Sequence, residues 1–183
     1  MKISGGELKG RTIDTPPGRA VRPTGAMTRE AMFNLVMHDP AVELVDGRVA
    51  DAFAGSGALG FEALSRGAAH CTFIEQDRQS LKILEGNIDA LGVRDRCTVL
   101  KADATRPPDA ATPCTALFLD PPYMSELSDP ALVALARHGW LAHGAVAVLE
   151  HPAKKAFTPP PGFDLVTDRR YGTAAVCVMR WMG

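Results

Sequence analysis

Between residues 48 and 149, short apolar runs alternate with segments whose apolar residues recur every three or four positions. The first run, 48–53, ends in a glycine-rich turn, and 58–65 reads as a helix closed by Arg66-Gly67. Residues 70–75 read as a second strand. Asp77 is placed to N-cap a helix running to Leu91, with Leu81, Leu84, Ile88 and Leu91 on one face and Gly92 stopping it. Residues 97–102 give a third strand and 115–119 a fourth, whose unbroken apolar run predicts burial on both faces. Ser128 or Asp129 caps a helix to about His138, and 145–149 form a fifth strand. The end of the chain, 163–167 and 174–181, reads as a β-hairpin across 169–173. Ahead of the alternation, residues 27–37 read as a helix with a stripe of Ala31, Met32, Leu35 and Val36. Residues 1–14 read as a short hairpin turning near Gly5-Gly6 or Lys9-Gly10.

Strand–helix alternation with short apolar strands predicts a doubly wound α/β sheet, mostly parallel, with the terminal hairpin adding an antiparallel strand at its edge. The 183 residues fit one domain, whose residues 1–24 form a basic N-terminal extension that begins with the small hairpin. Proline-rich stretches at 15–18, 106–113 and 158–161 read as connections. Ligands of such sheets bind at the carboxyl ends of the strands near the switch point, so chemistry is expected just after each strand.

Composition excludes some classes. There is no apolar run long enough for a membrane span, and the first residues carry neither a signal peptide nor a lipidation signal, so the expected compartment is the cytoplasm. The cysteines, Cys71, Cys97, Cys114 and Cys177, have no metal spacing, and the five histidines form no metal motif. They read as buried free thiols and as structural or surface imidazoles, and no metal is expected. The net charge of −1 announces no polyanion partner, but residues 1–29 hold six bases against two acids. A basic arm on an acidic body suits a polyanion, and charge alone does not separate that from a solvated tail.

Four clusters follow the strands. Asp51-Ala52-Phe53-Ala54-Gly55-Ser56-Gly57 opens a helix, where glycines permit close backbone approach and the helix N-terminus offers N–H donors. Its Gly55-x-Gly57-x-x-Gly60 spacing also matches a dinucleotide loop. Glu75-Gln76-Asp77 ends the second strand, where a carboxylate can accept ribose hydroxyls. Asp103-Ala104 follows the third and could read an adenine edge. Asp120-Pro121-Pro122-Tyr123 follows the fourth. Its prolines stiffen the turn and remove N–H donors. Asp120 and the Pro121 carbonyl can then accept from one –NH2 group, turning the lone pair of a poorly nucleophilic exocyclic amine toward a methyl donor. Tyr123 supplies a ring face for a base. Methylation of another amine (adenine, cytosine or a protein glutamine), a nicotinamide-dependent oxidoreductase and a non-catalytic RNA-binding assembly factor stay open on the residues alone.

The order of these clusters resembles the Rossmann-like amino-group methyltransferases that use S-adenosylmethionine. With Gly5-Gly6, Lys9-Gly10-Arg11, Arg22-Pro23-Thr24, Arg29-Glu30, Phe33-Asn34 and the run from Gly57 to Ala68, the chain is similar to the RsmD family of 16S rRNA guanine-N2 methyltransferases. The resemblance covers nearly the whole chain and is weakest after about residue 152. It implies S-adenosylmethionine as donor, and as partner 16S rRNA within the assembled or assembling small subunit. It implies cofactor contacts from Asp51, Phe53, Ala54, Gly55, Ser56, Gly57, Glu75, Gln76, Asp103 and Ala104. It implies base contacts from Asp120, Pro121, Pro122 and Tyr123, and RNA contacts from Lys9, Arg11, Arg22, Thr24, Arg29 and Asn34. A monomer without a membrane partner is expected. Gly25-Ala26-Met27-Thr28 departs from the family's usual Asp-Arg pair there, and Tyr123 replaces a commoner Phe.

Overall fold

The structure, a computed structural model, describes residues 1–16, 23–39, 42–122 and 126–183, the side chains of Pro23 and Thr24 excepted. The elements run α1 (Pro23–Met37), β1 (Arg48–Ala52), α2 (Ala58–Ser65), β2 (His70–Glu75), α3 (Arg78–Leu91), β3 (Cys97–Lys101), β4 (Cys114–Leu119), α4 (Ser128–Arg137), β5 (Leu141–Pro152), β6 (Phe163–Tyr171) and β7 (Ala174–Trp181). One seven-stranded sheet has the order β3-β2-β1-β4-β5-β7-β6. The first five strands by sequence are parallel, and β7 is antiparallel to both β5 and β6. This is the Rossmann-like, doubly wound architecture that the alternation predicts.

Three details differ from the sequence pattern. The C-terminal hairpin does not place its last strand at the edge. Strand β7, buried over Ala174–Met179, slots between β5 and β6, while the polar β6 takes the edge. Helix α1 begins at Pro23 rather than near residue 27, since proline's fixed φ and missing N–H suit a first turn. Helix α4 has Leu127 as its N-cap with no side-chain cap bond, so Ser128 and Asp129 lie inside its first turn. By contrast α3 matches its forecast: Asp77 Oδ2 accepts from Ser80 N at 2.8 Å, and Gly92 closes the helix at φ 71°.

Each central strand feeds both faces of the sheet. On β4, Ala116 and Phe118 join Phe33, Phe61, Leu64, Leu84 and Ile88 from α1, α2 and α3. Leu117 and Leu119 join Leu132 and Leu135 of α4. Phe33 stacks on Phe118 with ring centroids 4.9 Å apart, fixing α1 to the sheet. All four cysteines are free, with Cys71, Cys114 and Cys177 buried and Cys97 half-buried. Burial pushes the Cys114 and Cys177 thiols up to about 12 and the Cys97 thiol up to about 11. Among the described residues no helix is long and apolar enough to cross a membrane.

The N-terminal hairpin is reduced to one antiparallel bridge, Lys2 with Thr12. Its turn docks on α2 instead of lengthening the ladder. Glu62, fully buried, accepts from Ser4 N at 2.9 Å, Ser4 Oγ at 2.7 Å and Gly5 N at 2.9 Å. The same carboxylate holds Arg66 at 2.8 Å and Arg29 at 3.6 Å.

Candidate active site

Strand order reverses at β1, which lies between β2 and β4, and the crevice opens there at the carboxyl ends of the strands. The chain leaves β1 through left-handed backbone at Phe53 (φ 62°), Gly55 (φ 56°) and Gly57 (φ 86°). A β-carbon at Gly57 would stand 2.5 Å from Phe61 Cε2 and 2.6 Å from Leu84 Cδ1, so conformation and space both require glycine. Gly57 N-caps α2 without a side chain. Asp51, 1% exposed, takes over the cap from inside β1, its Oδ2 accepting from Gly60 N at 2.8 Å. Burial pushes the Asp51 carboxyl well above the usual carboxylate range, and the neighbouring Asp120 and Glu75 carboxylates push it further.

Glu75 ends β2 and braces the same loop. Its Oε2 accepts from Gly55 N at 2.7 Å, and its Oε1 from Gln76 N and Asp77 N at 2.8 Å each. An ionised carboxylate offers about four acceptor positions, so three backbone donors leave about one for a ligand hydroxyl. The cleft beside it has a volume of about 320 Å³, at the lower end of small-molecule sites. Glu75, Gln76 and Asp77 form its polar side, and Phe53, Ile74, Ala102, Ala104, Pro122 and Leu127 its apolar walls. This mixture fits S-adenosylmethionine: apolar walls for a flat ring and the Glu75 carboxylate for a ribose hydroxyl.

The cleft thus gathers Phe53, Glu75, Gln76, Ala104 and Pro122 of the expected residues. Ala54, Gly55, Ser56 and Gly57 are buried in the loop behind it. Asp51 reaches Gly60 from the interior and does not line the cleft. Asp103 is half-buried, and its Oδ1 accepts from Thr105 N at 2.9 Å and Thr105 Oγ1 at 2.8 Å. Asp120 is exposed, Pro121 buried, and Tyr123 lies outside the described residues.

The expected RNA contacts are dispersed. Arg22 and the side chain of Thr24 lie outside the described residues. Arg29 is corrected: it is 7% exposed, its Nη2 donates to Lys2 O at 2.9 Å, and it pairs with Glu62. Burial lowers its guanidinium pKa, against the opposing pull of Glu62. This arginine anchors the N-terminus and does not face solvent. Lys9 and Arg11 are exposed but sit toward the amino edge of the sheet. Their turn bonds through Glu7 N to Ser65 O at 2.7 Å, at the far end of α2. Arg11 Nη2 donates to Ala90 O at 2.6 Å, near the far end of α3. At ~1.5 Å per residue, α2 and α3 carry those ends roughly 12 and 20 Å from their crevice ends. Asn34 is exposed in the last turn of α1, close to where Asp39 Oδ2 meets Arg180 Nη2 at 3.0 Å, again at the amino edge.

Three residues escaped the sequence reading. Asn87 accepts from Asp14 N at 2.8 Å through Oδ1, and its Nδ2 donates to Asp14 O and Ser56 O at 3.0 Å each. It ties the chain leading to Pro16 at the cleft to the glycine-rich loop. Its signal was a polar residue beside Ile88 on the apolar stripe of α3. Glu62 signalled itself as one acid inside the apolar helix ALGFEALS. Leu127, at the cleft wall, gave no signal.

Over residues 1–180 the sequence matches the family described as "Conserved hypothetical protein 95". It is 34% identical over 176 residues to the ribosomal RNA small subunit methyltransferase D of Escherichia coli, covering 96% of this chain and 87% of that protein. It is 31% identical over 180 residues to the Haemophilus influenzae protein of the same name, covering 94% and 89%. The solved structure of the Escherichia coli yhhF protein superposes with a TM-score of 0.84 at 33% identity, covering 100% of this chain and 98% of that one. With a family match through nearly the whole chain and two relatives above 30% identity, this chain belongs to the RsmD family.

Proposed function

We propose that this chain transfers the methyl group of S-adenosylmethionine to the exocyclic N2 amine of a guanine in 16S rRNA, within the assembled or assembling small ribosomal subunit, acting as a cytoplasmic monomer. One observation carries the reading. The Asp120-Pro121-Pro122 exit of β4 stands beside the glycine-rich exit of β1, with Pro122 on the wall of the cleft that Glu75 and Ala104 line. The relatives' name, ribosomal RNA small subunit methyltransferase D, supports rRNA as the substrate. The choice of guanine N2 follows from the family resemblance and the amine-binding chemistry of the turn.

The residues divide the task. The loop from Phe53 to Gly57, braced by Asp51 and Glu75, holds the methionine portion, and Glu75 takes a ribose hydroxyl. Gln76, Asp103 and Ala104 border the adenine. The sulfonium supplies an already electrophilic methyl, so the chain needs to orient and not to activate it. Asp120 and the Pro121 carbonyl accept the two N–H groups of the amine and aim its lone pair, with Tyr123 under the extruded base. The excess proton leaves toward Asp120 or water. Position and electrostatics supply the rate.

The test is transfer of labelled methyl to small subunits lacking the modification, with naked 16S rRNA and genomic DNA in parallel, followed by nucleoside identification. Label in N2-methylguanosine is expected. Label on adenine or cytosine would move the target and keep the chemistry. Asp120→Ala should retain S-adenosylhomocysteine binding and lose transfer by about 100-fold or more. Loss of cofactor binding instead would refute the role given to Asp120.

A further inference from the structure

Strand register brings a second set of bases to the crevice edge. Leu119 of β4 pairs with Leu149 of β5, so Asp120 and Glu150 emerge side by side. Glu150 pairs with Val176 of β7, and Val176 with Arg169 of β6. In the next row His151, Ala175 and Arg170 stand abreast. Arg169 therefore lies in the row of Asp120, three strand spacings or about 14 Å along the sheet. Strand β5 runs from this row into Lys154 and Lys155, both exposed. Lys155 Nζ stands 3.9 Å from Glu126 Oε1, which places this loop against the segment leaving the Asp120-Pro121-Pro122 turn.

Four bases here stand against Glu126, Glu150 and Asp168, so the acids offset the charge only in part. Asp168 Oδ1 faces His151 Nε2 at 3.0 Å, Glu126 faces Lys155, and Glu150 is half-buried. Among the described residues Lys154, Arg169 and Arg170 have no carboxylate at ion-pairing distance, and Arg170 Nε donates to Gly172 O at 3.0 Å. The crevice mouth carries Glu75 and Asp120, whose carboxylates repel a polyanion, so docking needs cations on the rim. A span of about 14 Å matches roughly four stacked nucleotides at ~3.4 Å each. Phosphates flanking an extruded base thus fall within reach of this rim, whereas Lys9 and Arg11 lie toward the opposite edge.

We propose that Lys154, Lys155, Arg169 and Arg170 form the phosphate-binding rim on which the RNA substrate docks, in place of Lys9 and Arg11. This rests on the reading of the crevice as an RNA methyltransferase site. The rim positions the RNA and does not choose the base.

The experiment compares Lys154→Ala/Lys155→Ala, Arg169→Ala/Arg170→Ala and Lys9→Ala/Arg11→Ala with the unaltered protein. Filter retention of small subunits is measured over a salt series, alongside methyl transfer. Each rim pair should weaken retention and raise KM about 10-fold at 0.1 M salt, lower the salt slope by about 1 to 2, and leave kcat within about twofold. Melting temperature and S-adenosylhomocysteine binding should not move, and Arg169→Lys/Arg170→Lys should restore retention. Unchanged retention and slope in both rim pairs, or a loss confined to the Lys9/Arg11 pair, would overturn the proposal. Retention is read without catalysis, so a protein that binds subunits through the rim but transfers no methyl would sink the proposed reaction and leave the rim standing.

Discussion

Replacing Glu75 by Gln exchanges one oxygen of the most heavily used side chain in the crevice for an NH2 group. Oε1 serves Gln76 N and Asp77 N, and Oε2 serves Gly55 N. If the amide oxygen keeps the two donors after β2, the NH2 confronts Gly55 N–H, and the loop must withdraw. Losing a charge-assisted bond costs about 1.5–3 kcal/mol, and water reaching this half-exposed side chain reduces that to about 1–2 kcal/mol. For a domain of this size the melting temperature should fall by about 2–8 °C. The ligand suffers separately, because the remaining acceptor position changes its charge and the loop its place. A lost charge-assisted bond of about 1.5–3 kcal/mol makes S-adenosylhomocysteine about 10–150 times weaker. Calorimetric titration gives the affinity and a thermal melt the stability. An affinity within about threefold of the original, together with an unmoved melt, would refute both the brace and the ribose contact.

Glu62→Ala removes the buried counterion of two arginines from a largely buried network, which should cost about 3–5 kcal/mol and free the N-terminal turn. Urea unfolding and the rate of proteolytic release of that turn measure the two effects, and a variant as stable as the original would show the network to be idle. Gly57→Ala adds a left-handed alanine at about 1–2 kcal/mol and overpacking against Phe61 and Leu84 at about 1–3 kcal/mol; equilibrium unfolding should show the sum and titration a weakened cofactor site. Asp51 binds its proton more tightly folded than unfolded. It therefore contributes stability below the unfolded pKa, near 3.8, that is lost as pH rises through the folded pKa. Asp51→Asn keeps an acceptor for Gly60 N, so its melting temperature should gain on that of the original protein as pH is raised from acid toward neutrality. Parallel curves would show that the carboxyl is not desolvated as the structure has it.

The alternation of elements, the caps of α3 and the clusters that follow β1, β2, β3 and β4 are legible in the residues alone. These features are local. Apolar period, capping chemistry and glycine or proline at fixed offsets act within a few residues, and a parallel sheet forces every strand exit to one edge. Features that depend on distant partners emerge with the folded chain. The place of β7 inside the sheet was visible as an apolar strand beside a polar one, but its neighbour was set by pairing with β5. Arg29 read as an exposed base, because nothing within its helix reveals that Glu62 waits for it thirty-three residues on. The charge of residues 1–29 left an RNA contact and a solvated tail both open, and the family resemblance assigned RNA contacts to Lys9 and Arg11. The arm's anchors on Ser65 and Ala90 hold Lys9 and Arg11 toward the far edge, while strand register carries Arg169 and Arg170 to the crevice rim. Charge can be counted along a chain, but the edge of a sheet on which it emerges is fixed by which strands pair and in which direction they run.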